Sequence, residues 1–340
     1  MEKAKVYFYD NVKDLKAGYE KFLQIIADEL KTDEKIGIKI HFGADKNDTH
    51  LNPKHLVELP RIFKKPVFVE TNCLYPGRRH RSDKHIELAH EHGFNFLEID
   101  ILDGDLGREY DEIEINTKNT KKAKIATGVQ RYKNFVSMAH FKGHMAAGFG
   151  GALKNLGMGL AARGGKLDMH AGVAPKVLEE KCTACGLCAE NCIADAITVE
   201  EHAIIDQDKC IGCAFCISVC PEVAIRPLFG NIKGIEFVEK IADYAYAGTK
   251  GTNWFYINGV VNITMKCDCM SIKQTPFMDD IGIVYSKDPV AIDKASLDLV
   301  IKHNKGVNPF QKNNTDQLRI LEYAEEIGMG TTNYELIQVD

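Results

Sequence analysis

Cys182-Thr183-Ala184-Cys185-Gly186-Leu187-Cys188-Ala189-Glu190-Asn191-Cys192, followed by Cys210-Ile211-Gly212-Cys213-Ala214-Phe215-Cys216-Ile217-Ser218-Val219-Cys220-Pro221, is the stretch that decides what kind of chain this is. Each run reads C-x2-C-x2-C-x3-C, the spacing that wraps backbone amides around a cubane iron–sulfur cluster while presenting three thiolates to it. The fourth cysteine of each run sits on the helix leading away from its own loop and points at the other cluster. The predicted ligand sets are therefore crosswise: Cys182, Cys185, Cys188 and Cys220 for one 4Fe-4S cluster, and Cys210, Cys213, Cys216 and Cys192 for a second. A zinc site needs only two C-x-x-C pairs. Neither zinc nor a disulfide framework accounts for paired runs of this spacing with Ile193, Ala196, Ile197 and Val223, Ala224, Ile225 behind them. Ile193 stands after Cys192 where a proline is usual, which loosens the turn but removes no ligand.

Working outward, the chain has 340 residues, of which 45% are hydrophobic, enough for a full core beyond the cysteine-rich stretch. Lys plus Arg number 43 against 48 Asp plus Glu, a net charge of -5, so no global basic field recruits nucleic acid or an anionic membrane. No run reaches the ~18 apolar residues of a membrane helix, and Met1 to Lys5 lead into a strand pattern instead of a signal core. Metal-ligating thiols must stay reduced, and exposed clusters of low potential are damaged by oxygen. The expectation is a cytoplasmic protein of a reducing, anaerobic setting, without membrane insertion.

Before the cysteine runs, strand and helix patterns alternate. A helix is predicted over Leu15 to Leu30, with Phe22, Ile25, Ile26 and Leu30 on one face, then a strand at Ile36 to Phe42 and a helix near Pro53 to Phe63. Pro66 to Glu70 reads as a strand, Asp83 to His92 as a helix ending at Gly93, and Phe96 to Ile99, Lys124 to Thr127 and Asn134 to His140 as strands. After the runs come a helix at Gly234 to Ala247, strands near Trp254 to Met265 and Ile281 to Tyr285, and a helix at Asp288 to His303 with Pro289 in its first turn. This alternation predicts an α/β fold, a mostly parallel sheet flanked by helices. A block of C-terminal strands alone would make a thin sheet. Residues 177–228 therefore read as an α+β two-cluster ferredoxin-like module inserted into one α/β domain built from 1–176 and 229–340, with Ile204-Ile205-Asp206 forming the hairpin into the module's second half.

The segment His140-Phe141-Lys142-Gly143-His144, continuing through Gly148-Phe149-Gly150-Gly151-Ala152-Leu153-Lys154-Asn155 to Met158-Gly159, resembles the family called domain of unknown function 362, in its branch carrying a two-cluster ferredoxin. Further matching segments are Lys39 to Gly43, Thr71 to Tyr75, Gly164-Lys166-Met169-His170, Cys267-Asp268-Cys269 and Asp288 to Asp293, so the resemblance runs from about residue 35 to 300. The family has little defined activity to transfer. The histidine and Gly-Gly-Ala-Leu-Lys-Asn segment is also distantly similar to the N-terminal domain of nickel-pincer lactate racemases.

His140 to Asn155 follows a strand and opens a helix. Its glycines, Gly150 and Gly151 among them, let backbone amides approach a ligand, and a helix N-terminus attracts anions. A phosphate-bearing cofactor or substrate is the expected occupant, with Lys142 and Lys154 as counter-charges and Asn155 beside them; close helix–sheet packing with solvated lysines is the alternative. His140 and His144 read equally as a metal-ligating pair or as proton shuttles. His41, after one strand, and Thr71, Asn72 and Tyr75, after another, fall at the C-terminal edge of the sheet, where open α/β sheets bind ligands. Arg78, Arg79, His80 and Arg81 follow, either as anion-binding groups or as a solvated surface. Cys267 and Cys269 need a turn at Asp268 to face the same way. They read as ligands of a further metal with Cys73, as a redox thiol pair, as a flavin-pocket lining, or as buried structural thiols. Cys73 stands where the family often has threonine.

These readings converge on an iron–sulfur electron-transfer protein or oxidoreductase subunit. It would relay low-potential electrons through two clusters to a redox site in the α/β cleft, with FMN as the expected occupant and His41, His140 or His144 moving protons. Its partner would be a redox protein or a small-molecule donor or acceptor. Two other readings stay open: a carrier that docks a partner enzyme without turnover of its own, and a racemase-like, non-redox enzyme with accessory clusters.

Overall fold

The computed structural model describes residues 3–172, 174–313, 316 and 318–340. In chain order the strands are β1 (Ala4–Tyr9), β2 (Ile36–Ile40), β3 (Pro66–Glu70), β4 (Ile99–Ile101), β5 (Tyr110–Glu114), β6 (Lys122–Ala126), β7 (Asn134–His140), β8 (Lys142–His144), β9 (Gly148–Gly150), β10 (Lys176–Val177), β11 (Ile197–Val199), β12 (Ala203–Ile205), β13 (Ile225–Arg226), β14 (Asn253–Val260), β15 (Gly282–Ser286) and β16 (Tyr334–Gln338). The α-helices are α1 (Leu15–Leu30), α2 (Leu59–Ile62), α3 (Ser82–Glu91), α4 (Ala152–Leu160), α5 (Arg163–His170), α6 (Leu187–Glu190), α7 (Phe215–Val219), α8 (Gly234–Thr249), α9 (Pro289–His303) and α10 (Arg319–Glu326).

Eight strands form one sheet in the order β16-β1-β15-β14-β7-β2-β3-β4. β14, β7, β2, β3 and β4 run parallel, and β15 runs against both β14 and β1. The fold is thus α/β, with a mostly parallel sheet between helices. Side-chain alternation sorts the strands into two cores, as a sheet covered on both faces requires. On β7 and β14, Phe135, Trp254 and Tyr256 join one core with Leu156, Ile241 and Ile292. Val136, Met138, Phe255 and Ile257 join the other with Phe22 and Ile26 of α1. Phe135 and Trp254 stack with ring centroids 4.2 Å apart across neighbouring strands.

Several local expectations need correction. Ile25 is exposed, so the buried stripe of α1 is Tyr19, Phe22, Leu23 and Ile26. The helix expected at Pro53 to Phe63 is broken into a 3-10 turn, Pro53–His55, and the short α2, because Pro60 has no N–H to continue a longer helix. The strand expected at Lys124 to Thr127 lies outside the main sheet: β6 pairs with β5 as a separate hairpin. The strand expected at Phe96 to Ile99 begins where that segment ends, at Ile99, in register with Phe68.

The chain leaves β2 and β3 in one direction across the sheet and returns through β7 on the other side of β2, so the switch point lies between β2 and β7. The cysteine-rich segment begins after α5, and β10 pairs antiparallel with β13 where it enters and leaves. Of the segment expected to form the hairpin, Ile204 and Ile205 lie in β12, which pairs antiparallel with β11.

Asp293 of α9 locks the site-bearing helix to this frame. Its carboxylate accepts N–H groups from Ala152 at 2.6 Å and Leu153 at 2.9 Å, capping α4, and the Asn258 amide at 2.8 Å. A Cβ on Gly151 would come within 2.2 Å of that carboxylate, so the glycine is what permits the approach. Asp293→Ala is expected to lower the unfolding free energy by about 1–2 kcal/mol, the usual cost of a lost cap, measured by urea denaturation under anaerobic conditions.

Candidate functional site

At the C-terminal edge of β2, β3 and β7 lies a cavity of about 140 Å³, lined among others by His41, Tyr75, His140, Lys142, Lys154 and Cys267. It sits at the switch point, where parallel sheets leave room for a ligand. Sequence reasoning found most of these residues but gave no role to Lys39, Glu70, Lys166 or His170, which also line it. Lys39 is fully buried, 3.1 Å from Glu70 and 3.0 Å from the Asn155 Oδ1. The available signal was a lysine inside Ile36-Gly37-Ile38-Lys39-Ile40, since a buried strand tolerates a charge only with a partner. Burial lowers the Lys39 pKa, and lowers that of Lys166 to about 8. Lys166 donates to the Thr71 hydroxyl and the Ala161 carbonyl, each at 2.6 Å.

Asp268 is the anchor. It is 1% exposed and accepts from His140 Nδ1 at 2.7 Å, while Lys142 Nζ lies at 3.0 Å. Asn47 and Thr49 donate to its other oxygen. Burial alone would push this carboxyl up, but His140 and Lys142 outweigh it and hold the pKa well below the usual carboxylate range.

The three histidines expected to move protons have different partners. His140 offers Nδ1 to Asp268 and Nε2 to the Val261 carbonyl at 2.8 Å, so both nitrogens face acceptors and no lone pair is free. His41 meets donors on both sides, the Gly43 N–H at 3.0 Å and Arg79 at 2.7 Å. Burial, then the Arg79 charge, holds its pKa well below the ordinary histidine value. His144 accepts the Ala147 N–H on Nδ1 at 2.9 Å, and burial lowers its pKa to about 3.

The groups expected to grip a phosphate at Gly150 and Gly151 already have partners within the protein. The amides that open α4 are already spent on Asp293, Lys142 is bound to Asp268 and the His140 carbonyl, and Asn155 bridges Lys39 to β7. These residues do not fit a flavin phosphate at that corner. Asn72 turns away from the cavity to Asp103, Ser82 and the Gly104 carbonyl, while Tyr75 stays in the lining and donates to the Cys269 carbonyl at 3.1 Å. Of the basic run, Arg79 reaches the cavity; Arg78 pairs with Glu91, and Arg81 with Asp83.

Cys267 and Cys269 do face the same way. The turn closed by the Met270 N–H on the Cys267 carbonyl brings both sulfurs and a ring nitrogen of His144 within 4.8 Å of one another. Cys73 lines the cavity but belongs to a different contact, donating to the Tyr75 carbonyl.

In the cysteine-rich segment, Cys182, Cys185, Cys188 and Cys220 line one small cavity, and Cys192, Cys210, Cys213 and Cys216 line another. Cys210 follows Cys182 by 28 residues, and the left-handed backbone positions repeat at that interval, Ala184, Gly186 and Asp195 against Gly212, Ala214 and Val223. The Ala196 and Ala224 amides donate to Cys192 and Cys220 at 3.3 and 3.2 Å, and the Ala203 amide to Cys182 at 3.4 Å. Cys188 and Cys216 pack in one hydrophobic cluster with Leu74, Leu167 and Ala171. Leu74 and the α5 residues Lys166 and His170 also line the main cavity. The 73–75 segment and α5 therefore form a wall shared by both.

A family model described as Domain of unknown function (DUF362) matches residues 36–298. Among curated proteins, the chain is 46% identical over 51 residues to one component of the ion-translocating oxidoreductase complex of Methanosarcina acetivorans, 15% of this chain and 19% of that protein. It is 40% identical over 60 residues to a component of the indolepyruvate oxidoreductase of Archaeoglobus fulgidus, 17% of this chain and 10% of that one. It is 34% identical over 68 residues to a component of the NADH-quinone oxidoreductase of Symbiobacterium thermophilum, 16% of this chain and 26% of that one. These matches have the size of one small module and leave most of each relative unspanned. Among solved structures, the lactate racemase apoprotein of Thermoanaerobacterium thermosaccharolyticum overlays with a TM-score of 0.39 at 14% identity, covering 76% of this chain and 51% of that one. A Thermotoga maritima protein overlays at 0.40 and 9% identity, covering 92% and 59%.

Asp268→Asn is expected to cost about 3 kcal/mol of stability, because it strands the Lys142 ammonium in a buried site and weakens the acceptor that holds His140. A folded carboxyl pKa held below the unfolded value contributes stability that is complete above the unfolded value and lost as pH falls through the folded one. The deficit of the variant should therefore be undiminished between about pH 5 and 7, and chemical denaturation at both ends of that window measures it.

Proposed function

The chain belongs to the DUF362 family, and on that footing we propose that it is an iron–sulfur electron-transfer protein or oxidoreductase subunit, carrying two 4Fe-4S clusters that relay electrons to the cavity at the sheet edge. The observation that supports this most is the sorting of eight thiols into two crosswise quartets, each around its own small cavity. Each quartet supplies the four thiolates that such a cluster requires, and the donor set fits. A bound cluster supplies reversible one-electron transfer. The chain's own residues do the rest. Amides of Ala196, Ala203 and Ala224 point at ligand sulfurs, where N–H donors favour the added negative charge of the reduced state. Arg108 ties the two halves of the module by donating to Asn191 and Ser218.

Residues 177–228 act as the inserted module and 1–176 with 229–340 as the body. Cys185 and the large apolar side chains of Leu187, Ile193 and Ile211 are exposed around the quartets, which suits the approach of a redox partner protein. The oxidoreductase components to which the chain is similar favour such a partner over isolated function. The setting is a reducing cytoplasm; no helix among the described residues is long and apolar enough to cross a membrane.

Anaerobic purification with iron and sulfide analysis tests the reading. About eight irons per chain are expected. Cys192→Ala should disturb the signal of the cluster held by Cys210, Cys213 and Cys216, and Cys220→Ala that of the other, each distinguishable by electron paramagnetic resonance. A colourless protein holding zinc would sink the proposal.

A further inference from the structure

We propose that Cys267 and Cys269 form a redox-active dithiol–disulfide couple, with Cys267 as its thiolate, that exchanges two electrons with the cysteine-rich module. The pairing of the two sulfurs rests on geometry alone; the exchange rests on the electron-transfer reading above.

The turn at Asp268 is the first reason. Neighbouring alternate residues on an extended strand point apart, but Asp268 is pulled inward by His140 and Lys142, and the chain folds back so that both flanking sulfurs face the cavity. Support for negative charge on one of them is the second. Cys267, 3% exposed, receives the Lys154 ammonium at 3.4 Å and the Cys269 amide at 3.3 Å. The hydrogen bond from the Cys269 thiol, then Lys154 and further cavity charges, hold the Cys267 pKa well below the ordinary thiol value against its burial. The same hydrogen bond, with burial, raises that of Cys269. One thiolate beside one thiol in a cationic pocket is the arrangement of a reactive pair, not of inert core cysteines.

A metal held by His144 and the two sulfurs is the competing use, and the ring opposes it. His144 Nδ1 already accepts the Ala147 amide, and Ala146 donates to it at 3.3 Å, so the ring proton sits on Nε2. A metal-ligating imidazole instead donates from its non-ligating nitrogen to an acceptor.

The third reason is the wall. Leu74 shares a buried cluster with the module cysteines Cys188 and Cys216 and also lines the cavity, and Tyr75 next to it donates to the Cys269 carbonyl. Oxidation joins the two sulfurs, releases the single Cys269 proton from this half-buried residue to solvent, and sends two electrons to the module and its partner. Reduction takes two electrons from the reduced module and one proton from solvent, and restores thiolate and thiol.

The test uses anaerobic holoprotein equilibrated in glutathione buffers from fully reduced to fully oxidised, acid-quenched, alkylated and digested for mass spectrometry. At the oxidised end the peptide should be two hydrogens lighter and unalkylated at Cys267 and Cys269; at the reduced end it should be doubly alkylated. Photoreduction without added thiol should then restore both sites in holoprotein but not in the Cys188→Ala, Cys216→Ala variant. In Cys269→Ser, where the disulfide cannot close, adding Lys154→Met should slow iodoacetamide labelling of Cys267 at neutral pH about tenfold. Absence of the disulfide in every buffer from protein containing its full iron overturns the couple and leaves the cluster reading standing. Failure of photoreduction to restore the thiols in holoprotein containing its full iron overturns the exchange with the module, and protein that purifies without iron overturns the cluster reading on which that exchange rests. Zinc added alone, retained after dialysis and protecting both thiols from alkylation, overturns the couple in favour of a metal site.

Discussion

A carboxylate removed from water must be repaid with hydrogen bonds and opposite charge, and in this protein the group that imposes the demand is Asp268. Its partners come from separate segments: His140 and Lys142 from the end of β7 and the strand after it, Asn47 and Thr49 from the loop beyond β2. Meeting the demand pins the long connection between β14 and β15 against the switch point of the sheet. Once Asp268 is fixed, the residues on either side of it have little freedom, and the two thiols take their places as a consequence. The parallel strands provide the edge; the buried ion cluster decides what is held there.

The same edge carries an excess of positive charge. Lys39, Arg79, Lys142, Lys154 and Lys166 line the cavity with Glu70, while Asp268 lies just behind it. Glu70 answers Lys39 and Asp268 answers Lys142, which leaves Lys154 facing Cys267. Burial lowers the Lys166 pKa to about 8, which makes this ammonium more easily discharged than that of an ordinary lysine. What remains favours anions and developing negative charge inside the cavity. A thiolate, or a guest gaining electrons, belongs there; a cation does not. Imidazoles held neutral by burial at His41, His144 and His170 follow the same field.

Much of this was legible in the sequence because the chemistry there is set by spacing. The crosswise quartets follow from the interval between cysteines, and the parallel strands β2, β3 and β7 follow from buried runs such as Pro66–Glu70 and Asn134–His140. The site was legible in membership and illegible in roles. Gly151 read as a phosphate corner because a glycine before a helix admits any close anion, and nothing local reveals that the anion is Asp293, far along the chain. His140 and His144 looked alike by type, yet one is fixed by two acceptors and the other accepts an amide. Such differences belong to contacts between distant segments, which composition and periodicity do not encode. The misplaced β6 has the same origin: an alternating segment identifies a strand, not its partner.

The insertion point of the cysteine-rich segment has a physical logic of its own. It leaves the body at α5, and α5 is two-sided: Leu167 and Ala171 pack with Cys188 and Cys216, while Lys166 and His170 line the cavity. Leu74 completes the wall from the other direction. A segment hinged on a flexible linker would vary its distance from the sheet edge. Here the module cannot shift without pulling α5, whose Lys166 is held to Thr71 at the end of β3, and without repacking Leu74 between Cys73 and Tyr75. The wall packs with the thiol-bearing cluster and lines the cavity. That shared ownership makes the separation between thiol quartets and cavity a property of the fold, fixed by the same packing that keeps the sheet edge closed.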